Sequence, residues 1–192
     1  MRLFFAVTLP DELVEKVLEA QAALRELVGD EGVRWTKPEQ FHYTLKFLSE
    51  QSAARAERAV ECAEAARESH AGFAMTLGGL GAFPSDQRPS TLWLGATAGA
   101  DTLAAIAADL DTRLTGHGFP RENKPLKAHL TLGRIKTYKG EAAAARALRK
   151  MAEDPRWSGL GSFRVDRFVL MRSTLKPEGS EYAVVDEFHL NT

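Results

Sequence analysis

The chain has 192 residues, of which 44% are hydrophobic and 27% are charged, and its formal net charge is −1. This composition supports a folded protein with a hydrophobic core and excludes a uniformly basic protein that coats nucleic acid. Because Cys62 is the only cysteine, an intramolecular disulfide is also excluded, and we expect a buried thiol in a cytoplasmic protein.

The first predicted element follows Arg2, where a short apolar stretch ends at Pro10. This stretch lacks the small-residue cleavage site of a signal peptide, so we interpret it as a strand. No apolar run in the sequence approaches the roughly 18 residues that are needed to cross a bilayer. We therefore expect no membrane partner.

Eight segments have the alternating or continuous apolar pattern of β-strands. In chain order they are Leu3–Thr8, Val33–Thr36, His42–Leu48, Phe73–Leu80, Leu92–Ala96, Leu126–Ile135, Phe163–Arg172 and Tyr182–His189. Helical spacing of apolar residues, or a high alanine content, predicts four helices between them, at 11–28, 53–69, 101–116 and 141–153.

Helix ends and loops are also indicated by the sequence. Asp11 and Asp101 are the predicted N-terminal caps of the first and third helices, which Gly29 and Gly116 are expected to end. The glycine-, proline- and serine-containing segments 78–85 and 176–180 are predicted loops, the second of them a hairpin connection.

The order of these elements predicts the fold class. Strands and helices mix without strict alternation, which disfavours a doubly wound parallel sheet. We predict an α+β fold with largely antiparallel sheets. Because the sequence contains no long linker or low-complexity segment, we expect residues 1–192 to form a single domain.

One internal repeat carries the functional prediction. The pattern His-x-Thr-Leu occurs at His42 and again at His129, and a Lys-Pro pair precedes each copy. A single copy of so short a motif would be weak evidence, whereas two copies in a chain with only five histidines have a low risk of chance occurrence.

Strand geometry explains what the repeat accomplishes. Residues two apart in a strand project to the same face, so His42 shares a face with Thr44, and His129 shares a face with Thr131. The remaining residues of the two strands are expected to face the core: Tyr43, Leu45, Phe47, Leu130 and Leu132. The duplication predicts two similar lobes whose polar faces meet across a cleft.

Basic residues accompany the repeat. Lys46 and Lys127 are predicted to share the polar faces of their strands and to add positive potential there. Between Arg121 and Lys139 six positive residues stand against one negative residue, Glu122. Such a run is usually solvated surface, but its position around a histidine motif favours contact with an anion.

Two imidazoles and two hydroxyls suit displacement at phosphorus. With an unperturbed pKa near ~6.5, one histidine can deprotonate the attacking water while the other protonates the leaving oxygen. The threonine hydroxyls can donate to the non-bridging oxygens. This scheme needs no metal or cofactor, and the residues alone leave open which histidine is the acid.

Other classes of function remain to be weighed against this scheme. An isolated strand histidine is usually structural or solvated, as we expect for His70, His117 and His189. A module that merely binds RNA ends would be served equally well by Lys or Arg in place of histidine. A metal-dependent hydrolase is the third class, but no His-x-x-x-His or Cys-x-x-Cys spacing occurs.

These motifs resemble the two-histidine (2H) phosphoesterase superfamily, and within it the branch of RNA 2′,3′-cyclic phosphodiesterases, also known as bacterial 2′-5′ RNA ligases. The resemblance covers nearly the whole chain. It is carried by the segments Arg2–Val7, Trp35–Leu48, Gly81–Pro84, Leu92–Gly95 and Arg121–Arg134.

The resemblance implies a bilobal duplicated fold, in which two largely antiparallel sheets surround a central cleft and helices lie on the outside. It implies an enzyme that hydrolyses 2′,3′-cyclic phosphate ends of RNA to 2′-phosphomonoesters, with reversible 2′-5′ ligation in some members. The expected partners are such RNA ends or cyclic nucleotides, and the chain is expected to be a monomer. Small cyclic nucleotides and 2′-5′-linked oligonucleotides remain alternative substrates.

Carried over to this sequence, the resemblance assigns His42 as proton donor and His129 as proton acceptor. Thr44 and Thr131 then correspond to the threonines that contact phosphate. The second motif departs from the family at Ala128, where proline is usual, but this side chain is expected to point away from the phosphate.

Arg134 matches a position that is commonly basic in the family, which makes it a candidate for substrate binding beside Lys46 and Lys127. Strand alternation, however, places it off the His129 face unless the strand bends.

Overall fold

The computed structural model describes residues 1–177 and 179–192, and within them the chain forms nine β-strands and four α-helices. The strands are β1 (Arg2–Thr8), β2 (Val33–Trp35), β3 (His42–Glu50), β4 (Phe73–Ser85), β5 (Arg88–Ala98), β6 (Leu130–Ile135), β7 (Gly161–Val165), β8 (Arg167–Lys176) and β9 (Gly179–His189). The helices are α1 (Asp11–Val28), α2 (Ala53–Arg67), α3 (Ala100–Gly116) and α4 (Tyr138–Ala152).

The predicted loop at 78–85 is wrong, because β4 continues to Ser85 and pairs with β5 along this stretch. Its glycines interrupt the register between Leu77 and Leu80 instead of ending the strand. Gly79 lies there at φ 77°, a conformation that is open to glycine at little cost.

The segment Phe163–Arg172, predicted as one strand, divides at Asp166 into β7 and β8, which belong to different sheets. The predicted hairpin at 176–180 is present as the turn between β8 and β9, where Lys176 pairs with Gly179. Glu178 itself lies outside the described residues.

The helix-end predictions are partly confirmed. Gly29 follows α1 at φ 86°, and its N–H donates to Arg25 O, as expected for a C-terminal glycine. Asp11 and Asp101 are not caps: Pro10 and Gly99 occupy the cap positions, and both carboxylates lie in the first turn. There they still interact favourably with the helix dipole.

The named strands form two antiparallel sheets within the described part of the chain, which confirms the predicted α+β class. Sheet A has the strand order β3-β1-β8-β9, and sheet B has the order β2-β6-β5-β4-β7. The first histidine motif begins β3 at the edge of sheet A. The second immediately precedes and enters β6 of sheet B.

The lobes are interleaved in a way that the duplicated motif did not predict. Sheet A combines β1 and β3 from the first half of the chain with β8 and β9 from the second half. Its helices are α2, which contacts β9, and α3, which contacts β3 and α2. Sheet B likewise packs with α4, and α1 from the first half contacts α4. Both halves of the chain therefore contribute strands and one helix to each lobe.

A buried polar side chain marks the place where α1 meets sheet B. Gln21 is only 6% exposed, and its Nε2 donates to Thr36 O and to Leu132 O at 2.8 Å each. Leu132 belongs to the second histidine motif, so this amide joins a helix of the first half to the strand that carries the second motif.

The hydrophobic core contains buried residues from both sheets, including Phe5 of β1 and Leu94 of β5, and the predicted burial of Cys62 is confirmed. Within the described residues, no helix is both long and apolar enough to cross a membrane.

We predict that Gln21→Leu lowers the free energy of unfolding by about 2 kcal/mol, because two buried carbonyl groups lose a hydrogen-bond donor. Urea denaturation followed by circular dichroism measures this loss. Glu19→Leu, which places the same side chain on the exposed face of α1, is the matched control and is expected to change stability by less than about 0.5 kcal/mol. Equal effects of the two variants would contradict a role for the Gln21 amide.

Candidate active site

The two motif histidines adopt the same local geometry. His42 Nδ1 lies 2.7 Å from Gln40 O, and His129 Nδ1 lies 2.7 Å from Lys127 O. In each copy the partner is the carbonyl group two residues before the histidine. Because a carbonyl oxygen only accepts hydrogen bonds, Nδ1 carries the proton in both rings. This leaves Nε2 of each neutral ring available as the reacting nitrogen.

The structure brings both histidines and both motif threonines to one cleft. His42, Thr44, His129 and Thr131 line a cavity of about 220 Å³. Strands β3 and β6 approach to within 8 Å between Cα atoms without pairing. His42 Nε2 lies 3.0 Å from Thr44 Oγ1, and the hydroxyl donates when the ring is neutral.

Aromatic side chains enclose the two imidazoles. The Phe4 ring lies 4.9 Å and the Tyr182 ring 5.3 Å from the His42 ring, between centroids. On the other side, Phe83 meets His129 edge to face at 4.9 Å. Sequence reasoning missed Phe4 and Tyr182, because they are distant in sequence from both motifs.

Burial lowers the pKa of both histidines. Desolvation lowers the pKa of His42 to about 4, opposed by the hydrogen bond to Gln40 and reinforced by the charge of His129. Desolvation also lowers the pKa of His129, opposed by the hydrogen bond to Lys127 O and reinforced by the charges of Arg134 and Lys127. The neutral form of each ring is therefore favoured when the cleft is empty.

A β-bulge follows the histidine and threonine in both copies of the motif. Ala6 pairs with Thr44 and Phe5 with Lys46, so Leu45 is the extra residue of β3. In β6, Trp93 pairs with Thr131 and Leu92 with Gly133, so Leu132 is the extra residue there. The leucine of His-x-Thr-Leu thus interrupts strand alternation at equivalent points of the two lobes.

The bulge reverses the facing of the residues that follow it. Phe47, predicted to face the core, is 62% exposed and lines the cleft. Arg134 also lines the cleft, which agrees with the sequence-based expectation for a strand that bends. Both residues stand five positions after their histidine, so the duplicated bulge directs a phenyl ring and a guanidinium to equivalent places.

The prediction that Lys46 shares the polar face of His42 is wrong for the same reason. Lys46 is only 3% exposed, and its ammonium binds Asp111 Oδ1 at 2.8 Å, Glu122 Oε1 at 3.0 Å and Pro120 O at 2.6 Å. The charge is thereby neutralised away from the cleft that the two histidines line. Its contacts join strand β3 to helix α3 and to the segment that leads to His129.

Lys127 extends over aromatic rings beside the second motif. Its ammonium lies 4.6 Å from the centroid of the Trp93 ring and 5.7 Å from that of Phe83. Cation–π contacts of this kind leave the charge in place while orienting the side chain. Ala128, the residue that departs from the family pattern, is buried and does not line the cleft.

Sequence reasoning missed Arg34 in the cleft wall, whereas Lys136 belongs to the basic run that was expected to contact an anion. Arg34 and Lys136 line the cleft together with Arg134, and Arg34 pairs directly with Arg134 in the β2–β6 ladder. The alternation of Val33–Thr36 indicated a strand, but no sequence signal placed it beside β6.

No group of three or more His, Cys, Asp or Glu side chains is arranged to hold a metal ion in the residues that the structure describes. The remaining histidines are placed outside the cleft: His70 Nε2 contacts Asp109, and His117 and His189 are exposed.

Comparison with known proteins supports the duplication and the fold. The LigT-like phosphoesterase family model matches the chain twice, over residues 7–93 and 94–182. The RNA 2′,3′-cyclic phosphodiesterase of Archaeoglobus fulgidus is 35% identical over 182 residues, which cover 95% of this chain and 96% of the relative.

Two solved structures have the same architecture. The crystal structure of TT0787 from Thermus thermophilus superposes with a TM-score of 0.79 at 30% identity, covering 99% of this chain and 98% of that one. LigT from Escherichia coli in its apo form superposes with a TM-score of 0.77 at 26% identity, covering 100% of this chain and 98% of that one.

We predict that Lys46→Met lowers the free energy of unfolding by about 3 kcal/mol, because it leaves the partly buried Asp111 carboxylate without its cation. Chemical denaturation measures the loss. Methionine retains most of the aliphatic stem, so the effect reports the charge and not the packing. Lys150→Ala, which removes an exposed lysine in the last turn of α4, serves as the control. Unchanged stability of Lys46→Met would contradict a structural role for this ion pair.

Proposed function

This chain belongs to the LigT-like phosphoesterase family, and from that premise we propose that it hydrolyses 2′,3′-cyclic phosphate ends of RNA to 2′-phosphomonoesters. The observation that carries the proposal is the pairing of His42 and His129 in one cleft, each with its motif threonine. Both rings are oriented by a carbonyl group at Nδ1, so both reacting nitrogens are available for proton transfer.

The relatives support the choice of substrate class. Curated relatives from Archaeoglobus fulgidus and others are named RNA 2′,3′-cyclic phosphodiesterases, and the first of them is matched over almost its full length. A strained five-membered cyclic phosphate presents one phosphorus atom and two non-bridging oxygens, which suits a site of two imidazoles and two hydroxyls. We therefore assign RNA with such an end as the substrate, with cyclic mononucleotides as smaller substrates of the same chemistry.

The proposed reaction is a single displacement by water. His129 Nε2 accepts a proton from the water as its oxygen forms a bond to phosphorus. The bond from phosphorus to O3′ breaks, and His42 Nε2–H donates its proton to that oxygen. The product is a 2′-phosphomonoester with a 3′-hydroxyl, and exchange with solvent returns the two imidazoles to their starting protonation states.

The charges near the two rings support this assignment of acid and base. Lys127 and Arg134 raise the positive potential at His129, which favours its neutral, proton-accepting form. Burial disfavours a proton on His42, and the negative charge of a bound phosphate counteracts that effect. Protonated His42 donates through Nε2, so the Thr44 hydroxyl no longer donates its hydrogen bond to that nitrogen. The hydroxyl can then donate to a non-bridging oxygen.

The same geometry allows ligation if the 5′-hydroxyl of a second RNA takes the place of water. Attack on the cyclic phosphate then yields a 2′-5′ phosphodiester, and the reverse reaction uses the same two proton transfers. The scheme assigns no step to a metal ion, and we propose that hydrolysis persists in EDTA. A module that merely grips phosphate would not need both histidines with a reacting nitrogen in one cleft.

Both imidazoles come from the same chain, so the site does not require a second copy. We accordingly propose that residues 1–192 act as one bilobal phosphoesterase domain in a monomeric, cytoplasmic enzyme.

We predict that His42→Ala and His129→Ala each lower the rate of hydrolysis by at least ~10²-fold, since each removes one proton transfer. The assay uses RNA with a cyclic phosphate end and 2′,3′-cyclic mononucleotides in EDTA, and phosphorus NMR assigns the 2′-phosphate product. His117→Ala, an exposed histidine beyond α3, is the matched control and is expected to retain full activity. Wild-type rates in both single variants would refute the proposed chemistry.

We predict that kcat/KM depends on pH as a bell whose maximum lies below about 6.5. Activity requires neutral His129, so it rises as pH increases through the lowered pKa of that residue. It also requires protonated His42, so it falls as pH increases through a pKa of about 4 in the free enzyme. The kcat profile should be displaced to higher pH, because a bound phosphate anion raises the pKa of His42. A kcat/KM that keeps rising above neutral pH would contradict these assignments.

A further inference from the structure

His129 and Thr44 lie where two cavities meet. Besides the 220 Å³ cleft, a larger cavity of about 650 Å³ is lined by Thr44, Phe47 and His129, which also line the cleft. Its other walls are helix α3 and the segment 121–127, and we call this cavity the α3 groove. A molecule that reacts between the histidines can therefore extend from the cleft into the groove.

The groove combines an aromatic ring with exposed positive charge. Phe47 is 62% exposed at its junction with the cleft, although burial is the usual state of a phenylalanine. Three exposed basic side chains line the groove: Arg121, Lys124 and Lys127. A stacking surface beside a row of cations is the arrangement by which proteins bind single-stranded nucleic acid.

The carboxylates of the groove do not cancel this charge. Asp111 and Glu122 also line it, but both bind the ammonium of the buried Lys46. The ion pair offsets much of their charge and fixes the position of the segment that carries Arg121 and Lys124. The run of basic residues before the second motif is thus presented along one wall.

The two cavities differ in size and in the contacts that join their walls. The cleft, at about 220 Å³, lies below the ~300–1,000 Å³ typical of small-molecule sites, whereas the groove at about 650 Å³ lies within that range. The tip of the β8–β9 hairpin closes one side of the cleft, since Gln40 Nε2 donates to Ser180 O and Gly179 packs against the Arg34 guanidinium. The walls of the groove are joined by the Lys46 ammonium, which binds Asp111 and Glu122.

We propose that the α3 groove binds the RNA chain on the 5′ side of the nucleotide that bears the cyclic phosphate. This inference rests on the proposed hydrolysis of cyclic phosphate ends. A base stacks on Phe47, and a backbone phosphate lies near Lys124 and Lys127. The enzyme consequently acts on oligonucleotides in preference to cyclic mononucleotides, because only an oligonucleotide occupies both cavities.

The test compares two substrates that share their terminal nucleoside, a 2′,3′-cyclic mononucleotide and an RNA trinucleotide with a 2′,3′-cyclic phosphate end. Wild-type kcat/KM is expected to be about tenfold or more higher for the trinucleotide, in line with the stacking of one further base. Lys124→Ala is expected to lower the value for the trinucleotide about threefold or more at low salt and to leave that for the mononucleotide unchanged. In Lys124→Ala the slope of log kcat/KM against log salt concentration should become shallower by about 0.7 for the trinucleotide. This is the contribution of one contact to a single-strand phosphate.

The controls separate the possible failures. Lys150→Ala removes an exposed lysine outside both cavities and should change neither substrate. Equal kcat/KM for the two substrates in the wild type would overturn the proposed subsite. An unchanged preference in Lys124→Ala, or a loss of preference in Lys136→Ala alone, would place the RNA along the cleft instead. Failure of the wild type to hydrolyse either substrate would refute the proposed function itself.

Discussion

The two motif imidazoles are positioned by strands of different sheets, so the geometry of the pair depends on how firmly those sheets are held together. The two sheets are held together because strands and helices from both halves of the chain contribute to each lobe. Sheet A takes β8, β9 and α3 from the second half, while α1 of the first half contacts α4 and sheet B. Gln21 and Lys46 place buried polar contacts at the joints, where misplacement would leave a donor or a charge unsatisfied.

The duplicated motif repeats a backbone irregularity as well as a set of side chains. In each copy the leucine is the extra residue of a bulge, so the residues four and five positions after the histidine exchange faces. In the first copy this change directs Lys46 away from the cleft and Phe47 into it. The second copy places Gly133 against the Trp35 ring and Arg134 in the cleft. A common backbone thus supports a symmetric pair of histidines and threonines with asymmetric surroundings, apolar on one side and cationic on the other.

That asymmetry bears on how two similar histidines acquire different roles. Burial lowers the pKa of both, so neither is charged by its surroundings alone near neutral pH. In the proposed mechanism the substrate supplies the negative charge that the empty cleft lacks, because its phosphate anion stabilises a proton on one ring. The cations beside His129 make it the poorer site for that proton. The acid therefore acquires its charge when phosphate is present, which limits unproductive protonation of the empty site.

The sequence by itself determined the fold class, most of the elements and the placing of each motif histidine beside its threonine. His-x-Thr-Leu is a local pattern, and strand alternation over three residues places His42 beside Thr44 without reference to the rest of the chain. Periodicity likewise predicted α1 at its observed bounds. Only the tertiary structure decided the facing of Lys46, Phe47 and Arg134, since a bulge depends on the pairing of two strands and one extra residue reverses every position after it. Pairing between distant segments also decided that Arg34 joins the cleft and that the lobes are interleaved, because a local pattern carries no information about which segment becomes its neighbour.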